Sequence, residues 1–524
     1  MNLLELTCLL QRIFSMQRLT KKRIKAGRWL LVVTPLFLCC ALGLVSLAKD
    51  SKSIAQEKSV IVDFSYAGFE DGADLPSDYS GLKKLNVTDF GAIPNDGKDD
   101  TAAFQKALAQ GGKIVVFIPQ GEFEIDDILR IEASNVILKG AGKGKTILKY
   151  SRGLEDIYPA PTKNAGGTPT SKYSWSGGFI EFNGKQRSTA AMDVSKPTLQ
   201  NERVLTVSKT NKKIKVGDRV YVSQSHQKGN GFLDYLYNGD PSDVSNCKPG
   251  LAITFPAIIE KLEGNKVTLD RGCRIDVRPE WQARLITMSH SVVRSGVESL
   301  TMKFPKHEYK GHFKEIGYNG IAMVKVRDCW VKDVEIVNAD SGIFVKGYNC
   351  TLAGISLIAP EVKKNGKIFT GHHGFILGGS DHLLRDFNID TTFIHGVAVT
   401  SGSNGNVTMD GNGENMSFDH HKKAPVANLF TNIDIGRGDR FLASGGGPKL
   451  GRNSAGWGVF WGIKSKNKVN IPEGFGPKTM SFVGVSVKNE DSILKKGMHL
   501  DTKTPKDLNL YKAQRERRLK KASP

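Results

Sequence analysis

Apolar and polar positions alternate along most of this chain in short runs, and the runs repeat. One phrase reads small-or-polar, Gly, apolar, any, apolar. It occurs as Asn319-Gly320-Ile321-Ala322-Met323, Ser341-Gly342-Ile343-Phe344-Val345, His373-Gly374-Phe375-Ile376-Leu377 and His395-Gly396-Val397-Ala398-Val399, at spacings of 22, 32 and 22 residues. A second phrase runs out of step with it, at 329–336, 350–357, 382–389 and 428–435. Repeats of this length mean stacked supersecondary units. The units alternate with period two and show no helical period, which predicts a β-solenoid. The ten extra residues between Ser341 and His373 then form a loop leaving one coil. Stacking places equivalent positions of successive coils one strand spacing apart, roughly 4.8 Å. Asn319, Ser341, His373 and His395 should therefore form one ladder.

The coils are expected from about Leu85 to Val487, after a leading segment at 49–84. Thr101–Ala109 reads as a short amphipathic helix, with Asp100 or Thr101 as its cap and Phe104 and Leu108 on its buried face. Residues 155–178 read as a long loop rich in Gly, Pro, Thr and Ser. Between about 205 and 288 the pattern turns antiparallel and predicts a small β insertion. Residues 488–524 read as a weakly structured basic tail.

The stretch Val87–Leu148 resembles the amino-terminal cap and first coils of the pectate-lyase superfamily. The residues that carry the resemblance are Asp89-Phe90-Gly91-Ala92, Asn95-Asp96-Gly97-Lys98-Asp99-Asp100-Thr101, Val116-Phe117-Ile118-Pro119-Gln120-Gly121 and Asn135-Val136-Ile137-Leu138-Lys139-Gly140. The resemblance implies an all-β fold, a right-handed single-stranded parallel β-helix with an amino-terminal capping helix. It leaves the reaction open, because the superfamily includes lyases, hydrolases, epimerases and phage tailspikes.

The chain has 524 residues and a formal charge of +21. A basic run at 21–25 precedes twenty uncharged residues from Trp29 to Ala48. Residues 1–48 are expected to be a signal peptide cleaved before Lys49, or a retained membrane anchor. Either places the folded part outside the cytoplasm, secreted or periplasmic. A basic exported solenoid suits an acidic polysaccharide better than nucleic acid, and the expected form is a monomer. Cys329 and Cys350 share one position on consecutive coils and are expected as stacked free thiols rather than a disulfide.

Of eleven histidines, six lie between 372 and 421. His373 and His395 stand before the glycine of the repeated phrase on neighbouring coils. Two imidazoles one strand spacing apart cannot both be protonated cheaply, so one stays neutral and suits a general base. Asp419-His420-His421-Lys422 adds candidate acids and a cation. Arg437, Arg440, Lys422 and Lys423 are candidates for neutralising a substrate carboxylate, as lyase chemistry on a uronate requires. Gly371-His372-His373-Gly374 is similar to the Gly-His-Gly of polygalacturonase-like hydrolases, although Asn338-Ala339-Asp340-Ser341 stands where those enzymes carry an Asp-Asp pair. His395–Trp461 resembles the carboxy-terminal coils of a branch of secreted β-helix proteins with no activity to carry over. Glu315, Asp340, Asp381 and Asp419 supply carboxylates for a hydrolytic alternative, and His372 joins them as a substrate-binding candidate. No metal site is placed by spacing, and no cofactor is expected, with calcium left open. Three functions stand: a lyase or epimerase on a uronic-acid polysaccharide, a glycoside hydrolase, or a non-catalytic glycan-binding solenoid.

Overall fold

The computed structural model describes residues 61–164, 166–360 and 369–522. The leader and most of the expected loop between Ser341 and His373 lie outside these residues. Two sheets of parallel strands run the length of the molecule. The longer has fourteen strands, from Lys83–Asn86 at one end to His499–Asp501 at the other. The second has seven, in the order Phe418–His420, Phe393–Val399, Gly371–Ser380, Ser341–Tyr348, Asn319–Arg327, Ile180–Asn183 and Leu129–Ile131. This is a right-handed parallel β-helix. The expected register is present: Asn319 pairs with Ser341, Ser341 with His373, and His373 with His395.

The glycine of the repeated phrase has a steric cause. A Cβ added at Gly320, Gly342 or Gly374 would meet the carbonyl oxygen of the next coil's glycine at 2.7, 2.4 and 2.4 Å. Inside the coils, alternate apolar residues stack on their equivalents. Phe430, Phe460 and Phe482 form a column with ring centroids 5.0 and 5.1 Å apart. Cys329 and Cys350 are buried free thiols. A polar ladder lies at one corner. Asn428 Oδ1 accepts from Asn406 N at 3.2 Å, Asn406 Oδ1 from His382 N at 2.9 Å, and His382 Nδ1 from Cys350 N at 3.1 Å. His382 thus occupies a rung that asparagine fills on the next two coils. Its Nε2–H donates to Gly378 O at 3.1 Å, which fixes the neutral tautomer.

The helix Thr101–Leu108 covers the first coil through Ala103, Phe104, Ala107 and Leu108. The Asp100 side chain does not cap it; Asp100 accepts instead from Ile93 N. The insertion is wider than the pattern predicts. Its six-stranded antiparallel sheet begins at Gln186–Asp193 and ends at Arg284–His290, which pair with each other. The first of these strands is half exposed and polar, so it gives no clear alternation.

The tail also differs from expectation. Coils continue to His499–Asp501, and Leu510–Ala522 is a helix. Its apolar residues are few, because it docks largely by polar contacts with the leading segment. Tyr511 Oη donates to Ala67 O at 2.8 Å, Gln514 exchanges two hydrogen bonds with Val62 O and Phe64 N, and Arg515 Nε donates to Gly72 O at 2.7 Å. The leading segment in turn lies along the flank of the middle coils. Gly68 N donates to Asp381 O, Phe69 N to Thr351 Oγ1, and the Phe69 ring meets Trp330 edge-on at 5.4 Å. Asp71 ties it to the insertion through a bidentate pair with Arg219 at 3.0 and 2.6 Å.

Two outcomes follow from the stacking. Gly342→Ala should lower stability by about 1–3 kcal/mol, read as a fall in the thermal midpoint, whereas Gly81→Ala, where a Cβ meets nothing within 4 Å, should leave it unchanged. Equal midpoints for the two variants would remove the steric account. The second concerns His382, which burial lowers to about 4. Its contribution is complete above the unfolded value near 6.5 and is lost as pH falls towards the folded one, on the order of 3 kcal/mol. His382→Asn, which extends the asparagine ladder, should therefore lose less stability than the wild type between about pH 6.5 and 4. Parallel pH profiles would contradict this.

Candidate functional site

The seven-stranded sheet ends in a cleft of about 870 Å³. Its floor is the ladder of repeated phrases, and its walls are loops. His372 and His373 come from strand Gly371–Ser380 and His395 from strand Phe393–Val399. On a regular pleat consecutive side chains face opposite sides, yet the His372 and His373 rings stack 3.9 Å apart, so the strand is irregular at this corner. His373 and His395 stack at 4.9 Å, and His312 reaches in from the 304–318 loop, 4.5 Å from His372. His421 closes the cluster 5.4 Å from His395. His372, His373 and His395 are all at most 5% exposed.

Two buried carboxylates stand behind these rings. Asp419 Oδ2 accepts from His421 Nδ1 at 2.8 Å and lies 3.2 Å from His395 Nδ1, while Oδ1 accepts from Gly445 N at 2.8 Å. Glu315 Oε1 lies 3.1 Å from His372 Nδ1 and accepts from Tyr309 Oη at 2.6 Å; Oε2 accepts from Ser174 Oγ at 2.6 Å. The contacts to His372 and His395 have ion-pair distances without hydrogen-bond alignment, and both Nδ1 atoms have no hydrogen-bond partner among the described residues.

Burial, reinforced by the neighbouring imidazoles, pushes His373 well below its ordinary value. Burial likewise lowers His395 to about 3 and His312 to about 4, the pull of Asp419 on His395 being too weak to offset it. His421 is different: burial disfavours its cation, but the hydrogen bond to Asp419 outweighs that and raises it. Burial opposes the charge on Glu315 too, yet His372, Ser174 and Tyr309 bring it down to about 2. The cleft thus holds three imidazoles pushed towards the neutral form and one, His421, whose basicity its own carboxylate raises.

The remaining candidates are dispersed. His420 points inward, its ring 5.1 to 5.7 Å from those of Phe430, Phe460 and Phe475, so it is a core residue rather than an acid. Here, where the pleat is regular, neighbours diverge, and Asp419 and His421 take the cleft side. Arg440 is occupied by Phe393 O at 2.8 Å and by Ile394 O, and lies over the Phe369 ring. Arg437 pairs with Asp439 in solvent. Asp381 pairs with Arg274 of the insertion, away from the cleft. Lys422 packs its stem against Gly446, while its neighbour Lys423 lines the cleft. Lys422, Lys423 and Ala424 all take left-handed φ, between 56° and 59°, a strained turn directly after His421. Asp340 serves the site indirectly. Its Oδ2 accepts from the N–H groups of Ile316, Gly317 and Tyr318 at 3.0 to 3.1 Å, and Oδ1 meets His307 Nε2 at 2.9 Å. It holds the loop that carries His312 and Glu315.

Sequence reasoning missed His312, Lys346, Lys163 and Trp175, all of which line the cleft. Lys163 and Trp175 come from the stretch read as a long loop, which folds as the hairpin Pro161–Lys163 and Pro169–Ser171 followed by a helical turn. Lys346 carried a signal: it directly follows the repeated phrase, and Gly378 stands at its register on the next coil, leaving room for the lysine stem.

Residues 84–240 match the family described as Rhamnogalacturonase A/epimerase, pectate lyase-like. The chain has the pectate-lyase-like β-helix fold. That match takes in the cap, the first coils and part of the insertion, and none of the cleft histidines. Among curated proteins, the chain is 37% identical over 103 residues to Mannuronan C5-epimerase AlgE3 of Azotobacter vinelandii, covering 18% of this chain and 6% of that protein. It is 37% identical over 111 residues to Alginate lyase 7 of the same organism, covering 19% and 13%. The chain therefore spans only a small part of these relatives. Among solved structures, the tailspike protein gp49 from Pseudomonas phage LKA1 aligns at a TM-score of 0.42 and 13% identity over 76% of this chain and 67% of the tailspike. An exopolygalacturonase from Thermotoga maritima aligns at 0.32 and 10%, over 82% and 79%.

Asp340→Ala should leave the coils folded but release the 304–318 loop, because three backbone N–H groups lose their acceptor. Hydrogen exchange confined to that loop should rise, and cleft-binding of any ligand should weaken. Unchanged exchange there would show that the loop is held by other contacts.

Proposed function

We propose that the protein is a carbohydrate-active enzyme of the lyase or epimerase type, acting on a uronic-acid polysaccharide bound across the histidine cleft. The observation that carries this reading is the His421–Asp419 pair facing an open cleft that also holds Lys163, Lys346 and Lys423. A proton alpha to a carboxylate is removed only when that carboxylate is neutralised and a base is positioned. Lys346 and Lys423 supply charge, and His421, oriented by Asp419 and made more basic by it, takes the proton in its neutral form. The electron pair of the broken C–H bond passes into the carboxylate as an enolate. It then expels the beta oxygen, which takes up the proton, giving an unsaturated sugar; or the carbon takes a proton from water on its other face while His421 releases the first proton to solvent, giving the epimer. His373 and the other neutral imidazoles present acceptors to sugar hydroxyls without repelling the lysines. Trp175 and Ile376 give the sugar rings apolar surface. The names of the partial relatives, mannuronan epimerases and an alginate lyase, support the substrate class. Export directed by residues 1–48 accords with such a substrate.

Hydrolysis by a carboxylate pair is less well supported. Glu315, Asp340 and Asp419 are each taken up by several donors, and Asp381 is paired elsewhere.

Incubation with alginate, polygalacturonate and other uronic-acid glycans should give the ultraviolet absorbance of an unsaturated product, or an inverted C5 signal by nuclear magnetic resonance. His421→Ala should cut turnover by about 10²–10⁴-fold. Lys423→Ala should mainly raise KM, with a smaller effect at high salt. New reducing ends without unsaturation would replace this reading with hydrolysis.

A further inference from the structure

Three imidazoles of the cleft have a second property that sugar binding does not use. His312, His372 and His395 each offer a ring nitrogen, and the three atoms lie within 4.8 Å of one another. His372 and His395 are buried, yet both nitrogens of His395 and Nδ1 of His372 have no hydrogen-bond partner among the described residues. Leaving buried polar atoms unmet costs about 1–3 kcal/mol each, so an arrangement that keeps several together calls for a ligand. Behind them stand Glu315 and Asp419, each close to an Nδ1. A carboxylate on one imidazole nitrogen directs the lone pair of the other outward, which is how metal-bound histidines are usually backed.

We propose that His312, His372 and His395 form a binding site for a divalent transition metal, Zn²⁺ in the first instance, with a fourth position open to the cleft. Three imidazoles suit Zn²⁺, Co²⁺, Ni²⁺ or Cu²⁺, whereas Ca²⁺ and Mg²⁺ take oxygen ligands. A tetrahedral set at 2.0–2.1 Å from the metal needs donor separations of about 3.3 Å. The site must therefore contract by small side-chain rotations. The alternative set, His395 with Asp419 and His421, is disfavoured because Asp419 is already engaged by His421 and Gly445. An open position at the cleft floor is where a carboxylate or hydroxyl oxygen of a bound sugar would meet the metal. The site itself stands independently of the polysaccharide reading, since it rests on donor geometry alone.

The test uses the untagged full chain, stripped with chelator and titrated with Zn²⁺ by calorimetry and with Co²⁺ by visible absorption. The expected result is one equivalent bound, with the ligand-field bands of nitrogen-coordinated Co²⁺. His312→Ala, on the accessible loop, should weaken Zn²⁺ binding at least tenfold, and His395→Ala further. Circular dichroism should show both variants folded, and His382→Asn should bind as the wild type does. No binding of either metal, or binding unchanged in His312→Ala and His395→Ala, would overturn the proposal without touching the assay for unsaturated products.

Discussion

Parallel main-chain hydrogen bonding from coil to coil is the interaction on which everything else in this molecule depends. It fixes a rise of one strand spacing per turn, and with it the identity of every residue's neighbours. Side chains that would be unremarkable singly become columns. The Phe430–Phe460–Phe482 stack, the Asn406–Asn428 rungs and the pairing of Trp330 with Thr351 are all products of the same repeat. The imidazole ladder is another, and it is costly. Stacking histidines in a buried corner keeps them uncharged and leaves their nitrogens without local partners. The fold imposes that cost by bringing His373 and His395 into register, and it is the cleft that makes use of it.

The coils could be read from sequence because a repeat declares its own geometry. Once Gly342 and Gly374 are recognised as equivalent, the pairing of Ser341 with His373 and of His373 with His395 needs no further information. What lay outside the repeat could not be read in this way. His312 and Glu315 sit on a loop whose position depends on three N–H groups bonded to Asp340, an interaction with no sequence pattern. The helix Leu510–Ala522 docks through Tyr511, Gln514 and Arg515 onto backbone carbonyls, so it has little apolar periodicity and resembles a solvated tail. The insertion strand Gln186–Asp193 is half exposed for the same reason: its stability comes from pairing with Arg284–His290, nearly a hundred residues on.

Adjacency in sequence misled in a related way. Asp419, His420 and His421 look like one unit, but a strand sends neighbours in opposite directions. His420 goes to the aromatic core, and its companions go to the cleft. Arg440 looked like a substrate cation and instead acts as a brace, holding the carbonyls of Phe393 and Ile394 just before His395. The residues that organise the site are thus mostly buried acids and backbone clamps, while the groups open to a ligand are few.

The clasp between the last helix and residues 62–72 changes how such a molecule comes apart. In an open solenoid each coil answers only to its neighbours, so terminal coils peel away first and independently. Here the last helix grips residues 62–72, and that segment is fastened to Thr351 and Asp381 in the middle of the stack. The final coils cannot detach without also freeing a strap bound halfway along the rod. An array whose last coils would fray becomes, at that end, a latched one: loss of structure there must first break a fastening made at mid-stack.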